Sequence, residues 1–377
     1  MKKSSRYLEK AIRETLPERM AFIGGPRQVG KTTFALGLLH TQSHQHPAYL
    51  NWDVPGTSKQ LIQGLLPSQE KIVILDEIHK YKKWRNLVKG LYDSQKGNKS
   101  FIVTGSARLD YYRKGGDSLF GRYFYYRLHP FSVKELGITK QKDLDNLIRL
   151  GGFPEPYLKG EEKFHRRWQK ERLHKVVRED LRDLENVREI SLIEHLAQEL
   201  PNRVGSPLSI QSLKEDLEVD HKTIQRWVQI LENLYYCFRI PPFGNSKFRS
   251  VKKEQKLYLW DWSLIESSGY RFENLVASQL LKYCHFIEDT EGYVMEVRFV
   301  RDVYKKEIDF VVLKDKKPQF AVECKTGETN INANLFYFRK KLNIPKCYQV
   351  HLGSKRYLKE NIEVIPWIDF CHEMNMP

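Results

Sequence analysis

The chain has 377 residues, of which 63 are Lys or Arg and 47 are Asp or Glu, so its formal net charge is +16 and its pI is about 9.4. With 41% hydrophobic and 29% charged residues, it has the composition of an ordered globular protein long enough for roughly two or three domains. The basic balance favours a polyanionic partner, either nucleic acid or an anionic membrane surface. No apolar run approaches the roughly 18 residues of a spanning helix, and charges interrupt the N-terminal segment, so we expect a cytoplasmic protein without membrane insertion.

The first 135 residues alternate strand-like and helix-like patterns. Apolar runs such as MAFIGG, KIVILDE and KSFIVTGS are separated by amphipathic segments such as KTTFALGLLH. Short apolar strands that alternate with helices are typical of a parallel sheet covered on both faces. We therefore predict an α/β domain over residues 1–135.

A phosphate-binding pattern, G-x-x-x-x-G-K-[ST], follows the first of these strands and opens a helix. Glycines let backbone N–H groups approach phosphate oxygens, and the helix N-terminus adds a favourable dipole. Lys31 would reach the β- and γ-phosphates, and the Thr32 hydroxyl would hold Mg²⁺. The predicted nucleotide-binding residues are Gly25, Pro26, Arg27, Gln28, Val29, Gly30, Lys31, Thr32 and Thr33.

Two further strands end in polar residues that would lie beside this loop. KIVILDE ends in Asp76, the expected Mg²⁺ ligand, and Glu77, which would orient and deprotonate an attacking water. The next strand places Thr104 and Ser106 at the same edge, where they would sense the γ-phosphate or simply form a turn. These residues predict nucleotide hydrolysis.

The segments GGPRQVGKTT, VILDEIHK, VTGSARL and SLFGRYFYYRLHPFSVKEL resemble the prokaryotic AAA-type ATPases that carry a C-terminal domain of uncertain function. The resemblance covers most of the chain and is most specific in residues 20–155. It implies ATP as the nucleotide and an arginine that completes the site. If a neighbouring subunit donates that arginine, the protein is a homo-oligomer. By position Arg122 is the candidate for that arginine, with Arg108 as the alternative.

The middle of the chain is predicted to be helical. Residues 136–190 carry dense mixed charge, which is typical of solvated helix faces, and we interpret them as a helical lid and linker. Residues 191–261 read as a winged-helix domain, with Lys222 and Arg226 on the exposed face of its second helix. The predicted wing adds further bases, which are Lys247, Arg249, Lys252, Lys253 and Lys256. This module would contact nucleic acid, DNA more than RNA, or serve only as an internal packing unit.

Residues 262–377 return to strands and suggest a second chemistry. Asp309 lies near the start of one strand pattern, EIDFVVL, and Glu323 and Lys325 lie two residues apart on the next. With Glu273 on a preceding helix, this pattern resembles the restriction-endonuclease-like fold. It predicts a second Mg²⁺ or Mn²⁺ site held by Asp309, Glu323 and Glu273, with Lys325 as the catalytic lysine. The same scaffold can also bind nucleic acid without cutting it.

The sequence therefore predicts an α/β protein with four parts: an AAA-type core with a lid, a winged helix and a nuclease-like domain. We expect a Mg²⁺-dependent ATP hydrolase that acts on, or is regulated by, nucleic acid and is coupled to a metal-dependent nuclease. The alternative is a slow ATP-gated switch whose C-terminal domain binds a protein or nucleic-acid partner without cleaving it. A phosphotransferase is disfavoured, because the Asp-Glu pair points to a water nucleophile.

Overall fold

The computed structural model describes residues 6–105, 119–180, 189–243 and 254–377. The chain divides into two compact units, Met1–His129 and Pro130–Pro377. Several predicted site residues lie outside the described ranges: Ser106, Arg108, Lys247, Arg249, Lys252 and Lys253.

The first unit is built on a five-stranded parallel sheet with strand order β2-β3-β4-β1-β5. Its strands are β1 Met20–Gly24, β2 Tyr49–Asn51, β3 Ile72–Asp76, β4 Ser100–Thr104 and β5 Tyr123–Arg127. Its helices are α1 Glu9–Thr15, α2 Lys31–Leu38, α3 Thr57–Ile62 and α4 Trp84–Gln95. The predicted parallel α/β domain is confirmed.

The apolar strands of this sheet are buried because helices cover them. Residues of β1, β3 and β4, such as Phe22, Val73 and Val103, share one core with Trp84 and Val88 of α4. Burial on both faces explains why these strands appear in the sequence as continuous apolar runs rather than as alternating patterns. The sheet edge at the carboxyl ends of β1, β3 and β4 carries the polar residues considered below.

The second unit begins with helices and a two-stranded hairpin. The helices are α5 Gln141–Leu150, α6 Pro154–Lys159, α7 Glu162–His174, α8 Ile190–Glu199, α9 Ile210–Leu217 and α10 His221–Asn233. The antiparallel hairpin consists of β6 Cys237–Ile240 and β7 Lys256–Leu259. Residues 136–190, interpreted from the sequence as a lid and linker, thus belong to the second unit.

The rest of the second unit is a six-stranded mixed sheet with strand order β12-β13-β11-β10-β9-β8. Its strands are β8 Met295–Arg301, β9 Glu307–Lys314, β10 Lys317–Lys325, β11 Lys346–His351, β12 Tyr357–Lys359 and β13 Ile362–Pro366. The accompanying helices are α11 Ser268–Glu291, α12 Ala333–Leu342 and α13 Trp367–Glu373. The C-terminal α/β architecture is as predicted.

Across the described ranges, no helix combines the length and the apolar character needed to span a bilayer.

Candidate functional site

The phosphate-binding loop connects β1 to α2, and glycine is required at both of its ends. Gly25 has φ +132°, and a Cβ atom there would lie 2.3 Å from the carbonyl oxygen of Leu128. Gly30 has φ +92°, a left-handed conformation that favours glycine. The Lys31 Nζ atom donates to the carbonyl oxygens of Gly25 and Pro26 at 2.9 and 2.8 Å. The loop is therefore a tight backbone cradle with a buried ammonium at its start.

Asp76, at the end of β3, joins the loop's helix to the neighbouring strands. Its Oδ2 accepts hydrogen bonds from the Thr32 hydroxyl at 2.9 Å and the Tyr49 hydroxyl at 2.7 Å. Its Oδ1 accepts from the Thr104 hydroxyl and from the backbone N–H of Glu77. Because all four donors meet one buried carboxylate, Asp76 is fixed in position beside the Thr32 hydroxyl.

Glu77 follows Asp76 in a left-handed conformation, φ +55°, which is uncommon for a residue other than glycine and clusters at functional sites. Burial, and then the Asp76 charge, raise the pKa of Glu77 above its ordinary value. His79 Nε2 and Lys80 Nζ lie 3.5 and 3.8 Å from Glu77 Oε2. A carboxylate with a raised pKa is a stronger base toward water, so this geometry suits the predicted role.

Arg122 lies at the other edge of the first sheet. It precedes β5, which runs parallel to β1 with Met20 paired to Tyr123. At about 3.3 Å per residue, the length of β1 separates Arg122 from the loop by about 13 Å along the sheet. Its guanidinium forms two hydrogen bonds with the Asp93 carboxylate, at 2.8 and 3.0 Å. Arg122 therefore does not reach the phosphate-binding loop of its own chain.

Helix α10 has the two faces that the sequence predicted. Ile224, Trp227 and Leu231 are buried, whereas Lys222 and Arg226 are exposed. The carboxylate of Asp220 caps the helix. It accepts hydrogen bonds from the backbone N–H groups of Lys222 and Thr223. The cap satisfies two N–H groups at the start of α10, and Lys222 and Arg226 lie on the exposed face of the helix's first two turns.

The predicted nuclease residues also converge, on β9 and β10. Lys325 Nζ donates to Glu323 Oε1 at 2.8 Å, and the Asn332 amide donates to the same oxygen at 2.5 Å. The Asp309 N–H donates to Glu323 Oε2 at 3.4 Å, and Asp309 Oδ2 accepts from the N–H of Cys324 at 2.9 Å. Burial, and then the charge of Asp309, raise the pKa of Glu323 to about 7.

Lys256 corrects the sequence interpretation of this region. It was expected on an exposed basic wing, but it is 1% exposed and points into the carboxylate cluster. Its Nζ lies 2.5 Å from Glu307 Oε1, 3.2 Å from Glu273 Oε1 and 3.7 Å from Asp309 Oδ1. Burial and Asp309 raise the pKa of Glu273 to about 7, whereas Lys256 lowers it. The cluster thus contains its own cation.

The predicted second metal site is not supported. Among the described residues, no group of three or more His, Cys, Asp or Glu side chains could hold a metal ion. The physical reason is that Glu273 and Asp309 face the Lys256 ammonium, while Glu323 is bonded to Lys325 and Asn332. Ammonium groups and an amide therefore face the carboxylate oxygens that were predicted to hold the metal.

Four functional-site neighbours were missed in the sequence: Tyr49, Lys256, Tyr258 and Glu307. Tyr49 reaches Asp76 only because β2 lies beside β3 in the sheet. Tyr258 donates to Glu273 Oε1 at 2.7 Å from the same strand as Lys256. The continuous apolar run that follows Lys256 indicates a buried strand, but it does not indicate which residues the lysine contacts.

Three family models match successive parts of the chain. Residues 17–137 match a family model described as an AAA domain. Together with the loop geometry, this match supports a P-loop AAA-type fold for residues 17–137. Residues 141–269 and 268–370 match two models described as domains of unknown function, DUF8612 and DUF4143.

Two relatives of the chain come from Methanocaldococcus jannaschii. The uncharacterized protein MJ1544 is 24% identical over 95% of this chain and 86% of its own length. The uncharacterized protein MJ1637 is 22% identical over 82% of this chain and 72% of its own.

The solved structures that are similar to this chain include the Thermotoga maritima RuvB Holliday junction branch migration motor. It is 19% identical, with a TM-score of 0.31 over 62% of this chain and 87% of that chain. A STAND-class signal transduction ATPase from Pyrococcus horikoshii is 13% identical, with a TM-score of 0.26 over 75% of this chain and 47% of that chain.

Proposed function

We propose that the protein is a Mg²⁺-dependent ATP hydrolase whose second unit binds nucleic acid. The observation that carries the first part is the junction of Thr32, Asp76 and Glu77 beside the loop. Thr32 and Asp76 present the hard oxygen ligands that Mg²⁺ prefers, and a bound Mg²⁺ would neutralise phosphate charge. Glu77 would accept a proton from the attacking water.

The experiment that tests this proposal is phosphate release from ATP by the purified chain, with Lys31→Ala as the inactive control. Loss of the ammonium removes the positive charge that the loop holds at its start. Release of equal amounts by both proteins would show that the loop is not the hydrolytic site.

Arg122 is proposed to complete the site of a neighbouring chain, because it does not reach its own. We expect Arg122→Ala to lower hydrolysis by about 10³-fold, the typical loss for an arginine that stabilises phosphoryl transfer. Mixing inactive Arg122→Ala with inactive Lys31→Ala should restore activity, since mixed oligomers contain sites with both residues intact. Asp93→Asn, which removes the partner of Arg122 but keeps the guanidinium, should stay active. Full activity of Arg122→Ala alone, or no recovery on mixing, would contradict this role.

The exposed start of α10 favours nucleic acid as the polyanionic partner. Lys222 and Arg226 lie together on one solvated face of the second helix of a helix–turn–helix. The predicted wing residues outside the described ranges remain part of this proposal. Duplex DNA is the first probe, because a helix of this kind fits the major groove of DNA better than that of RNA.

Neutralising Lys222 and Arg226 together is expected to weaken binding to duplex DNA and to flatten its salt dependence. Each lost phosphate contact should reduce the slope of log K against log salt by about 0.9. The measurement is fluorescence anisotropy over a salt series, on DNA and on RNA of the same sequence. Lys214→Ala, an exposed lysine on α9, is the matched control. An unchanged slope in the double variant would remove α10 from the interface.

The buried Lys256 favours an ATP-gated switch over coupling to a metal-dependent nuclease. In that alternative, hydrolysis changes how the second unit holds its partner, and no phosphodiester bond is cut. Stimulation of ATP hydrolysis by DNA without cleavage would support the switch.

A further inference from the structure

The carboxylate cluster of the C-terminal sheet is partly neutralised by cations of the same chain. One ammonium, that of Lys256, lies between Glu273 on α11 and Glu307 and Asp309 on β9, at 2.5 to 3.7 Å. Arg301 Nε adds a second positive charge 3.6 Å from Glu307. Buried carboxylates are costly unless a cation or hydrogen bonds compensate them, and here the compensating cation is a side chain.

The position of Lys256 is set by its strand and not by a flexible stem alone. Lys256 opens β7, where it pairs with Ile240 of β6. The same strand is tied to α11 by Asn274, whose side chain accepts from the N–H of Leu259 and donates to its carbonyl oxygen, both at 2.7 Å. The ammonium also lies over the face of the Phe299 ring, with Nζ 5.6 Å from the ring centroid. The backbone therefore delivers the ammonium to the cluster.

Several carboxylate oxygens of the cluster have further hydrogen-bond partners within the chain. Glu273 Oε1 accepts from the Tyr258 hydroxyl in addition to Lys256. Asp309 Oδ2 accepts from the Cys324 N–H, and Glu323 is bonded to Lys325. A Mg²⁺ ion would bind one or two of these carboxylates at about 2.0–2.1 Å, and there it would meet the repulsion of an ammonium already in place.

We infer that the Lys256 ammonium takes the place of a divalent metal in this cluster, so that the C-terminal domain binds no metal there and does not cleave phosphodiesters by metal-dependent hydrolysis. The ammonium supplies positive charge to the carboxylates, but it offers no open coordination position for an attacking water. The domain's sheet and helices would then serve as a binding platform. This inference is independent of ATP hydrolysis, because its residues all belong to the second unit.

The experiment measures Mn²⁺ binding to the full-length protein without nucleotide, by the loss of the free Mn²⁺ signal in electron paramagnetic resonance. Wild type and Asp309→Asn should bind the same amount of Mn²⁺, because the cluster contributes no site. Lys256→Ala should gain one Mn²⁺ per chain and a Mn²⁺-dependent rise in Tm. The double variant Lys256→Ala/Asp309→Asn should lose that gain. Lys317→Ala, an exposed lysine of the same sheet, should behave as wild type.

Three results would overturn the inference. The first is Mn²⁺ bound by wild type and lost in Asp309→Asn. The second is a folded Lys256→Ala chain that gains no Mn²⁺. The third is cutting of DNA or RNA by wild type with ATP and Mn²⁺ that disappears in Asp309→Ala. If Lys256→Ala does not fold, the wild-type comparison and the cleavage assay decide the question on their own.

Discussion

Replacing Glu77 with Gln is expected to leave ATP binding intact and to lower the hydrolysis rate by about 10²–10⁴-fold, the range for loss of a general base. The amide keeps the size and hydrogen-bonding shape of the carboxylate but accepts no proton at neutral pH. Single-turnover phosphate release and binding of a fluorescent ATP analogue separate the two steps. Glu14→Gln, an exposed change on α1, is the matched control.

The surroundings of Glu77 explain why the effect should fall on turnover. Asp76 is held by hydroxyl donors from Thr32, Tyr49 and Thr104, so its position does not depend on the Glu77 side chain. The loop and Lys31 remain intact in the variant, and with them the contacts expected to hold phosphate. Unchanged hydrolysis in Glu77→Gln would remove this residue from the mechanism, whereas lost binding would make its role structural.

The nucleotide site was predictable because its residues are contiguous or fixed by a simple rule. The loop occupies one short segment, and Asp76 and Glu77 end an apolar strand that could only belong to a buried parallel sheet. Parallel strands bring their carboxyl ends to one edge, so the sequence placed Thr104 near Asp76 as well. Tyr49 could not be placed, because its contact depends on which strands are neighbours.

The C-terminal cluster could be predicted only in part, because its decisive residue comes from another segment. Asp309, Glu323 and Lys325 lie close together in the chain and converge as expected. Lys256 follows a run of basic residues, and its charge was assigned to the same solvated segment. Its burial depends on the pairing of β7 with β6 and on the Asn274 anchor, neither of which leaves a local sequence pattern.

Replacing Lys256 with Ala is expected to destabilise the second unit by about 3–5 kcal/mol at neutral pH, because it leaves buried carboxylates without their cation. Urea unfolding followed by tryptophan fluorescence measures the change. Lys317→Ala, on the exposed start of β10, should stay within about 0.5 kcal/mol of wild type. Mn²⁺ should restore part of the lost stability, since it would bind only the folded variant.

The stability lost in Lys256→Ala should also depend on pH, and the pKa of the Glu273 carboxyl determines the direction of that dependence. Burial and Asp309 raise the pKa of Glu273 from 4.5 to about 7, so the folded chain holds this proton more tightly than the unfolded chain. The stability that this group contributes is complete below pH 4.5 and is lost as the pH rises through about 7.

Lys256 lowers the pKa of Glu273, whereas the carboxylates of Glu307 and Asp309 lie beside the same ammonium and add negative charge. Without Lys256 the pKa of Glu273 should rise further, so the variant should lose stability more steeply as the pH rises and approach wild type in acid. Equal pH profiles for the two proteins would show that the ammonium does not neutralise the cluster.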